Sequence, residues 1–250
     1  MQRLVTGQAG MSFINCYEDA SRARAYASLE FANTYYLAYR DLPFIISEHI
    51  AGTRALDFGC GTGRSSRFLE DLGFNVIGVD VSEDMLRIAR AIDPFGDYRL
   101  VPGDNLSEFG VRTFDLVLSA FTFDNIPATT KVRILSDLEQ LLTPKGVIVN
   151  LVSSPVIYIH EWASFTTKDF PENSAARSGD MVRIIVTDCQ DRRPVEDILC
   201  TDEAYRMVYR EAGLETIQMY KPLAKGDEPY EWVNEMSIAP WVIYVLKRAV

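Results

Sequence analysis

Five short apolar runs follow one another between residues 54 and 152, and segments with helical spacing separate them. The runs are rich in Val, Ile and Leu and carry few polar residues, as strands buried on both faces do. They are Ala55–Phe58, Val76–Val79, Tyr98–Val101, Leu116–Ser119 and Val147–Val152. Strands that lack alternation and are separated by helices are typical of a parallel sheet.

Three of the intervening segments carry helix start and stop signals, such as glycine, proline and acid-flanked serine. The predicted boundaries are Gly63 and Gly73, then Ser82 and Pro94, then Thr130 and Pro144. The resulting order, β-α-β-α-β-β-α-β, predicts an α/β, doubly wound open sheet. Sheets of this kind bind ligands at the carboxyl ends of their strands.

The last hundred residues have a different pattern. Met181–Val186 and Val195–Cys200 are strand-like and form a predicted hairpin, and Thr201 caps a helix with acids in its first turn. Two further strands, Glu215–Tyr220 and Trp241–Leu246, flank a long loop. Long loops in compact domains are often functional.

Charge and cysteine content narrow the class of protein. The 250 residues carry a formal net charge of −10, which disfavours nucleic acid and anionic membranes as partners. The four cysteines form no C-x-x-C pair and no metal-ligand spacing with either histidine, so no metal site is expected. Without a secretory signal or a long apolar run, we expect a cytoplasmic protein, monomeric or homodimeric, that acts on a small molecule.

The turn after the first predicted strand contains the clearest candidate for a binding site. Gly59, Gly61 and Gly63 stand at alternate positions, and Asp80 ends the second strand seventeen residues later. Glycine lets a cofactor lie against the main chain, and an acid at that point accepts hydrogen bonds from ribose hydroxyls. This arrangement indicates a cofactor that carries adenosine. A nicotinamide fingerprint would need its third glycine at Arg64.

The pattern D-x-G-x-G-x-G that begins at Asp57 resembles the first motif of class I S-adenosylmethionine-dependent methyltransferases. Four later segments resemble that family's other motifs, so the likeness covers roughly residues 50–152. They are Val76–Leu86, Gly103-Asp104, Phe114–Phe121 and Leu141–Gly146. Lys145 departs from the usual Pro-Gly-Gly, at the strand end away from the ligand edge. The resemblance implies a mostly parallel, seven-stranded Rossmann-like sheet with an inserted cap after the fifth strand.

The resemblance also implies a division of the chain. It predicts a single methyltransferase domain over residues 11–250, preceded by an extension over 1–10. The expected parts are N-terminal lid helices (11–50), a cofactor-binding core (51–152), a substrate cap (153–200) and the end of the sheet (201–250).

S-adenosylmethionine is the implied cofactor, with S-adenosylhomocysteine as its product. Asp57 is assigned to the methionine amino end, Asp80 to the ribose, and Asp104 with Asn105 to the adenine. The predicted cofactor-binding residues are Tyr17, Tyr26, Asp57, Gly59, Cys60, Gly61, Gly63, Asp80, Val81, Met85, Asp104, Asn105, Ser119 and Phe121. Ordinary packing is the alternative for the two tyrosines and for Met85.

Segments at the ligand edge are expected to hold the methyl acceptor, namely Thr122–Ile126, Ser153–Cys200 and Pro222–Pro240. His160 is the first candidate for a general base and Asp124 the second. A structural role is the alternative for a lone histidine. The predicted activity is methyl transfer to an oxygen or nitrogen of a small metabolite. A catalytically inactive cofactor-binding subunit and an NAD-dependent oxidoreductase are the alternatives.

Overall fold

The computed structural model of the protein describes residues 31–101, 106 and 108–249. Its strands are β1 (Arg54–Phe58), β2 (Asn75–Asp80), β3 (Asp97–Leu100), β4 (Phe114–Ala120), β5 (Leu142–Ser153), β6 (Phe165–Thr166), β7 (Met181–Val186), β8 (Val195–Ile198), β9 (Leu214–Tyr220) and β10 (Trp241–Arg248). Its α-helices are α1 (Thr34–Arg40), α2 (Leu42–His49), α3 (Arg64–Asp71), α4 (Glu83–Ile92), α5 (Ala128–Leu141) and α6 (Asp202–Glu211). The predicted strands are confirmed.

Seven strands form the main sheet, in the order β3-β2-β1-β4-β5-β10-β9. Neighbours from β3 to β5 pair in parallel, and β10 runs antiparallel to both β5 and β9. The order reverses at β1, which lies between β2 and β4. At such a reversal the two following loops diverge and leave a crevice for a ligand. This is the predicted doubly wound, mostly parallel sheet.

The sheet is buried on both faces, which explains the unbroken apolar runs. On one face, Ala55, Leu116 and Val149 pack in a cluster with α1, α2 and the segment after β5. On the other, Leu56 and Val117 pack with α5 and α6. Alternate residues of each strand therefore serve opposite layers of helices.

The segment between β5 and α6 forms a separate antiparallel sheet in the order β6-β7-β8. Val182, Ile184 and Val195 turn their side chains into the same apolar cluster as α1. The segment expected to be a cap thus packs against one face of the main sheet, close to the carboxyl ends of its strands.

Two predicted boundaries differ from the structure. Helix α5 begins at Ala128, two residues before Thr130, because Pro127 at its N-cap already fixes the chain for helix entry. Pro144 does not follow a loop but lies within β5, where the pairing with β4 shifts register between Phe114 and Leu116. Proline is tolerated at such irregularities because no ladder hydrogen bond is lost there. The Pro144 difference is at the amino end of β5, away from the ligand edge, whereas the first turn of α5 lies at that edge, where Thr130 lines the cavity.

Over residues 31–101, 106 and 108–249 no helix has the length and apolar character needed to cross a bilayer. The same ranges contain no cluster of His, Cys, Asp and Glu side chains able to hold a metal ion.

Candidate active site

A cavity of about 650 Å³ opens at the carboxyl ends of β1, β2 and β4. Its wall is built from the loop after β1, the ends of β2 and β4, helix α1, and the segment after β5. This volume lies within the range of small-molecule and cofactor sites. The crevice predicted from the reversal of strand order is therefore present, and the inserted sheet lines one side of it.

The three loop glycines all have left-handed backbone torsions, with φ of 76° at Gly59, 53° at Gly61 and 78° at Gly63. A Cβ built on Gly59 would lie 2.1 Å from Oγ1 of Thr122, and one on Gly63 would lie 2.6 Å from the Tyr98 hydroxyl. A Cβ on Gly61 would meet nothing within 4 Å. Gly59 and Gly63 are therefore required by packing, whereas Gly61 presents bare backbone to the cavity that it lines.

Asp80 lines the cavity at the end of β2 and ties the glycine loop to the next helix. Its Oδ2 accepts a hydrogen bond from the Gly61 amide at 2.8 Å, and its Oδ1 accepts one from the Ser82 amide at 2.8 Å. Burial raises the pKa of the carboxyl above its usual value, and the backbone donors oppose that shift. An ionised carboxylate has further lone pairs, so Asp80 can also accept ligand hydroxyls.

Asp57 lies under the loop and is not among the residues that line the cavity. Its Oδ2 accepts hydrogen bonds from the hydroxyls of Ser65 at 2.7 Å and Ser66 at 2.6 Å, in the first turn of α3. Its Oδ1 is buried and has no hydrogen-bond partner in the described part of the chain. Burial raises the pKa of Asp57 to about 6. A cationic group bound nearby would satisfy this oxygen and favour the ionised form.

Arg64 lines the cavity at the first residue of α3, although the sequence did not single it out. Its guanidinium carbon lies 5.6 Å from the ring centre of Phe31, 5.1 Å from that of Tyr35 and 5.3 Å from that of Tyr39. These cation–π contacts hold the guanidinium beside the glycine loop. Tyr35 and Tyr39 precede Arg64 by 29 and 25 residues, so no local motif could have revealed the arrangement.

The remaining predicted cofactor residues fall into three groups. Cys60, Val81, Met85 and Phe121 line the cavity together with Gly59 and Gly61. Gly63 and Ser119 lie behind the wall, and the buried Ser119 hydroxyl has no partner among the residues described. Tyr17, Tyr26, Asp104 and Asn105 lie outside the described residues.

Phe121 is unusual because it is not a glycine and yet has a left-handed backbone torsion, with φ of 62°. The residue directly follows β4 and places its ring against Trp241, with 4.7 Å between ring centres. Non-glycine residues in this region of torsion space are uncommon and cluster at functional sites. The turn also puts Thr122 against the glycine loop, where its hydroxyl donates to the Phe58 carbonyl at 3.1 Å.

Asp124 lies in the part of the cavity wall that follows β4, and it is 6% exposed. The Ser153 amide donates to it at 3.1 Å and the Ser153 hydroxyl at 2.9 Å. Burial, and then the neighbouring Asp197, raise the pKa of Asp124 to about 8. A group that exchanges a proton near neutral pH and faces a ligand cavity has the properties of a general base.

Asp197 on β8 was not singled out from the sequence, yet the residue lines the same wall and is 7% exposed. The Tyr158 hydroxyl, also in the wall, donates to its Oδ2 at 3.0 Å. Lys131 of α5 is buried beside both acids but does not line the cavity. Its ammonium lies 4.9 Å from the centre of the Tyr205 ring. The wall therefore carries two carboxyl groups drawn from different segments.

His160 is not among the residues that line the cavity. It follows the short 3-10 helix Pro155–Ile159, and its ring is perpendicular to that of Trp162 at 6.1 Å. The loop expected over Pro222–Pro240 also contributes no lining residue. Instead, Glu235 of that loop is buried and accepts hydrogen bonds from the Thr34 hydroxyl and the Ala163 amide, both at 2.7 Å. The loop joins α1 to the inserted segment.

Comparison with known proteins bears on the same region. Residues 55–146 match the family model described as a methyltransferase domain. An uncharacterized methyltransferase of Alkaliphilus oremlandii is 35% identical over 94 residues, which are 38% of this chain and 43% of the relative. A ubiquinone biosynthesis O-methyltransferase of a Ruegeria species is 30% identical over 152 residues. The aligned region covers 52% of this chain and 58% of that relative. The chain thus spans about half the length of these curated relatives.

Among solved structures, an S-adenosylmethionine-dependent methyltransferase from Clostridium acetobutylicum aligns with a TM-score of 0.61. The alignment covers 94% of this chain and all of the other chain. At 15% identity it shows a shared fold and nothing further. The domain match covers the strands and loops that build the glycine side of the cavity, and the fold agrees over nearly the whole chain. Residues 55–146 are therefore similar to the methyltransferase domain family, and the chain shares the fold of solved S-adenosylmethionine-dependent methyltransferases.

Proposed function

We propose that this protein transfers a methyl group from S-adenosylmethionine to an oxygen or nitrogen of a small molecule and leaves S-adenosylhomocysteine. One observation carries the proposal. A single cavity joins Gly61 and Asp80 to a second region walled by Asp124, Asp197 and Trp241. Donor and acceptor bound in the two regions would be held together, and positioning alone can supply about 7–11 kcal/mol of a bimolecular barrier.

The residues of the first region fit the proposed cofactor. Gly61 offers backbone with open space in front of it, and Asp80 has acceptor capacity for ribose hydroxyls. The unpartnered Oδ1 of Asp57 and the guanidinium of Arg64 have the charges that an amino group and a carboxylate would need. A zwitterionic amino acid end joined to a ribose matches this set of groups.

When bound, S-adenosylmethionine supplies a methyl group on a sulfonium, which is already a strong electrophile. The chain then has to align the acceptor, exclude water and remove a proton if the acceptor is protonated. Phe121 and Trp241 form an apolar wall, and we assign proton removal to Asp124, because it faces the cavity and His160 does not. We also propose that the segment 153–200 acts as the acceptor cap, since it supplies Ser153, Tyr158 and Asp197.

Two further observations support a small organic acceptor. The net charge of −10 disfavours a nucleic acid, and the acceptor region is enclosed by side chains of the inserted sheet. The Ruegeria relative, whose name places it in ubiquinone biosynthesis, supports the same class of substrate.

Isothermal titration of the purified protein with S-adenosylhomocysteine tests the cofactor assignment, and we expect saturable binding with one site. A mass-spectrometric screen of small amines, phenols and acids for label from methyl-labelled S-adenosylmethionine tests the transfer. Absence of binding would overturn the proposal. Binding without transfer to any acceptor would favour an inactive cofactor-binding subunit instead.

A further inference from the structure

We propose that the methyl acceptor is a small amine whose protonated nitrogen is held by the carboxyl groups of Asp124 and Asp197. The inference rests on the proposed methyl transfer and narrows its substrate class. Its starting point is the convergence of two acids on one wall of the cavity from separate parts of the fold. Asp124 follows β4 in the cofactor-binding core, whereas Asp197 lies on β8 of the inserted sheet.

Both carboxyl groups accept hydrogen bonds from other residues of the cavity wall. Asp124 accepts from the backbone and hydroxyl of Ser153, and Asp197 accepts from the Tyr158 hydroxyl. An ionised carboxylate has about four lone-pair sites and no donor. Ligand groups that match such a wall are N–H or O–H donors, and a charged donor makes the stronger hydrogen bonds.

The aromatic part of the cavity wall suits an organic cation. Tyr35, Phe121, Phe165 and Trp241 all line the cavity and contact one another. Ring centres lie 4.7 Å apart for Phe121 and Trp241, and 5.6 Å apart for Phe165 and Trp241. Aromatic faces attract cations electrostatically, and this attraction grows where water is excluded. An apolar or aromatic body with an ammonium at one end satisfies both the rings and the acids.

The change in charge on proton transfer to Asp124 distinguishes an amine acceptor from a phenol acceptor. Transfer of a proton from an ammonium to Asp124 converts two charges into a neutral amine and a neutral carboxylic acid. In a buried site this exchange is favoured, because desolvation penalises both charged forms. Transfer from a phenol would leave a phenolate beside the second acid, Asp197, and would gain nothing from the loss of charge. Burial and Asp197 raise the pKa of Asp124 to about 8, which suits a base that accepts the proton of an amine.

The chemical step then balances. The lone pair of the neutral nitrogen forms the new N–C bond to the methyl carbon, and the electron pair of the breaking C–S bond stays on sulfur. The products are S-adenosylhomocysteine and an N-methylammonium ion, with the abstracted proton on Asp124. The positive charge that develops on nitrogen lies beside Asp197, which stabilises it electrostatically.

A purely structural role for the acids, as partners of the buried Lys131, is the competing explanation. Asp124 and Asp197 are among the residues that line the cavity and Lys131 is not, which favours ligand binding. Ligand measurements separate the two roles, because a structural ion cluster would affect stability without discriminating between ligands of different charge.

The test uses the full chain saturated with S-adenosylhomocysteine at pH 8.5, where Asp124 is mostly ionised and the amine probes are still protonated. Calorimetric titration compares 2-phenylethylamine with its neutral isostere 2-phenylethanol, and tryptamine with tryptophol. We expect each amine that binds to do so at least about tenfold more tightly than its alcohol, as a charge-assisted contact predicts. Asp197→Asn, which preserves size, should reduce that preference to about threefold or less. Asp169→Asn, at an exposed acid of the same segment, should preserve it.

The outcomes are distinguishable. If wild-type protein does not bind S-adenosylhomocysteine, the proposed function itself fails, and the amine probes are not needed to show it. If the cofactor product binds but the alcohols bind as well as the amines, or no amine binds, the amine assignment is overturned. A preference that survives Asp197→Asn also overturns the role of this acid. Should that variant not fold, the amine-to-alcohol comparison on the wild type and Asp124→Asn decides the question.

Discussion

Asp80 combines two roles in one side chain, because it holds the glycine loop through the Gly61 amide and faces the cavity. Asp80→Ala removes a charged acceptor whose hydrogen bonds are each worth roughly 1.5–3 kcal/mol. We expect S-adenosylhomocysteine to bind at least about tenfold more weakly, as measured by calorimetry. Asp71→Ala, at an exposed acid that ends α3, is the control. Unchanged affinity in Asp80→Ala would mean that the acid only stabilises the loop.

Arg64 is expected to recognise the amino acid end of the cofactor and not its nucleoside. Arg64→Met keeps an apolar side chain against Tyr35 and Tyr39 but removes the guanidinium. S-adenosylhomocysteine should then bind about tenfold more weakly, whereas 5′-methylthioadenosine, which lacks the amino and carboxyl groups, should bind as before. In Asp80→Ala both ligands should weaken, because both carry the ribose. Equal losses for both ligands in Arg64→Met would contradict the assignment.

Substitutions of Asp124 and of His160 are expected to have different effects on turnover. Asp124→Asn removes the base and should lower turnover about 10²–10⁴-fold with little change in cofactor affinity. His160→Asn should leave turnover within about twofold, because the ring lies outside the cavity wall. Steady-state rates on the acceptor found in the labelled-methyl screen provide the measurement. A larger loss of turnover in His160→Asn than in Asp124→Asn would identify His160 as the general base, as the sequence predicted.

The turn between β1 and α3 is the element on which cofactor binding depends most. Gly61→Val adds a branched side chain in the cavity at a residue with φ of 53°, so binding should fall below detection. Gly73→Val is a matched control, since Gly73 also has a left-handed φ, of 91°, and open space around it, but lies at the far end of α3. Both variants carry comparable backbone strain. Equal loss of binding in the two would show a general folding defect and not a blocked site.

Elements were predictable from the sequence where their signals are local. Buried strands such as Val147–Val152 are unbroken apolar runs, and Ser82 and Thr201 cap helices through hydroxyls that accept amide hydrogen bonds at 3.3 Å. The acceptor wall was not predictable in this way. Asp197 reaches Tyr158 across 39 residues, and its role depends on the packing of β8 against the turn after β4. His160 was predicted as a general base because an imidazole is identified by the sequence. The sequence does not show which way the side chain points.

At the scale of the whole molecule, the buried acid Asp124 links stability to pH. Its pKa of about 8 lies above the value of an unfolded aspartate, so the folded protein holds a proton that the unfolded chain releases. The free energy of unfolding therefore falls as pH rises from about 4 to 8. Asp197 and Lys131, which lie close to this acid, modulate the shift but not its sign.

Asp124→Asn removes this titration while it keeps an oxygen acceptor for Ser153. We expect the melting temperature of the variant, relative to that of the wild type, to rise by at least about 2 °C between pH 5 and pH 8. Differential scanning calorimetry at the two pH values provides the comparison. A constant or falling difference would mean that the carboxyl is ionised in the folded protein throughout this range.

The inserted sheet has a consequence for how such a chain acquires new chemistry. Gly61, Arg64 and Asp80 lie on one continuous stretch of polypeptide, and Tyr158, Phe165 and Asp197 on another that begins after β5. Recombination that exchanges the second stretch alone would replace the part of the acceptor wall that Tyr158, Phe165 and Asp197 form and leave the cofactor contacts in place. Substrate preference in a chain built this way can diverge by exchange of a contiguous cassette, without renewed selection for cofactor binding.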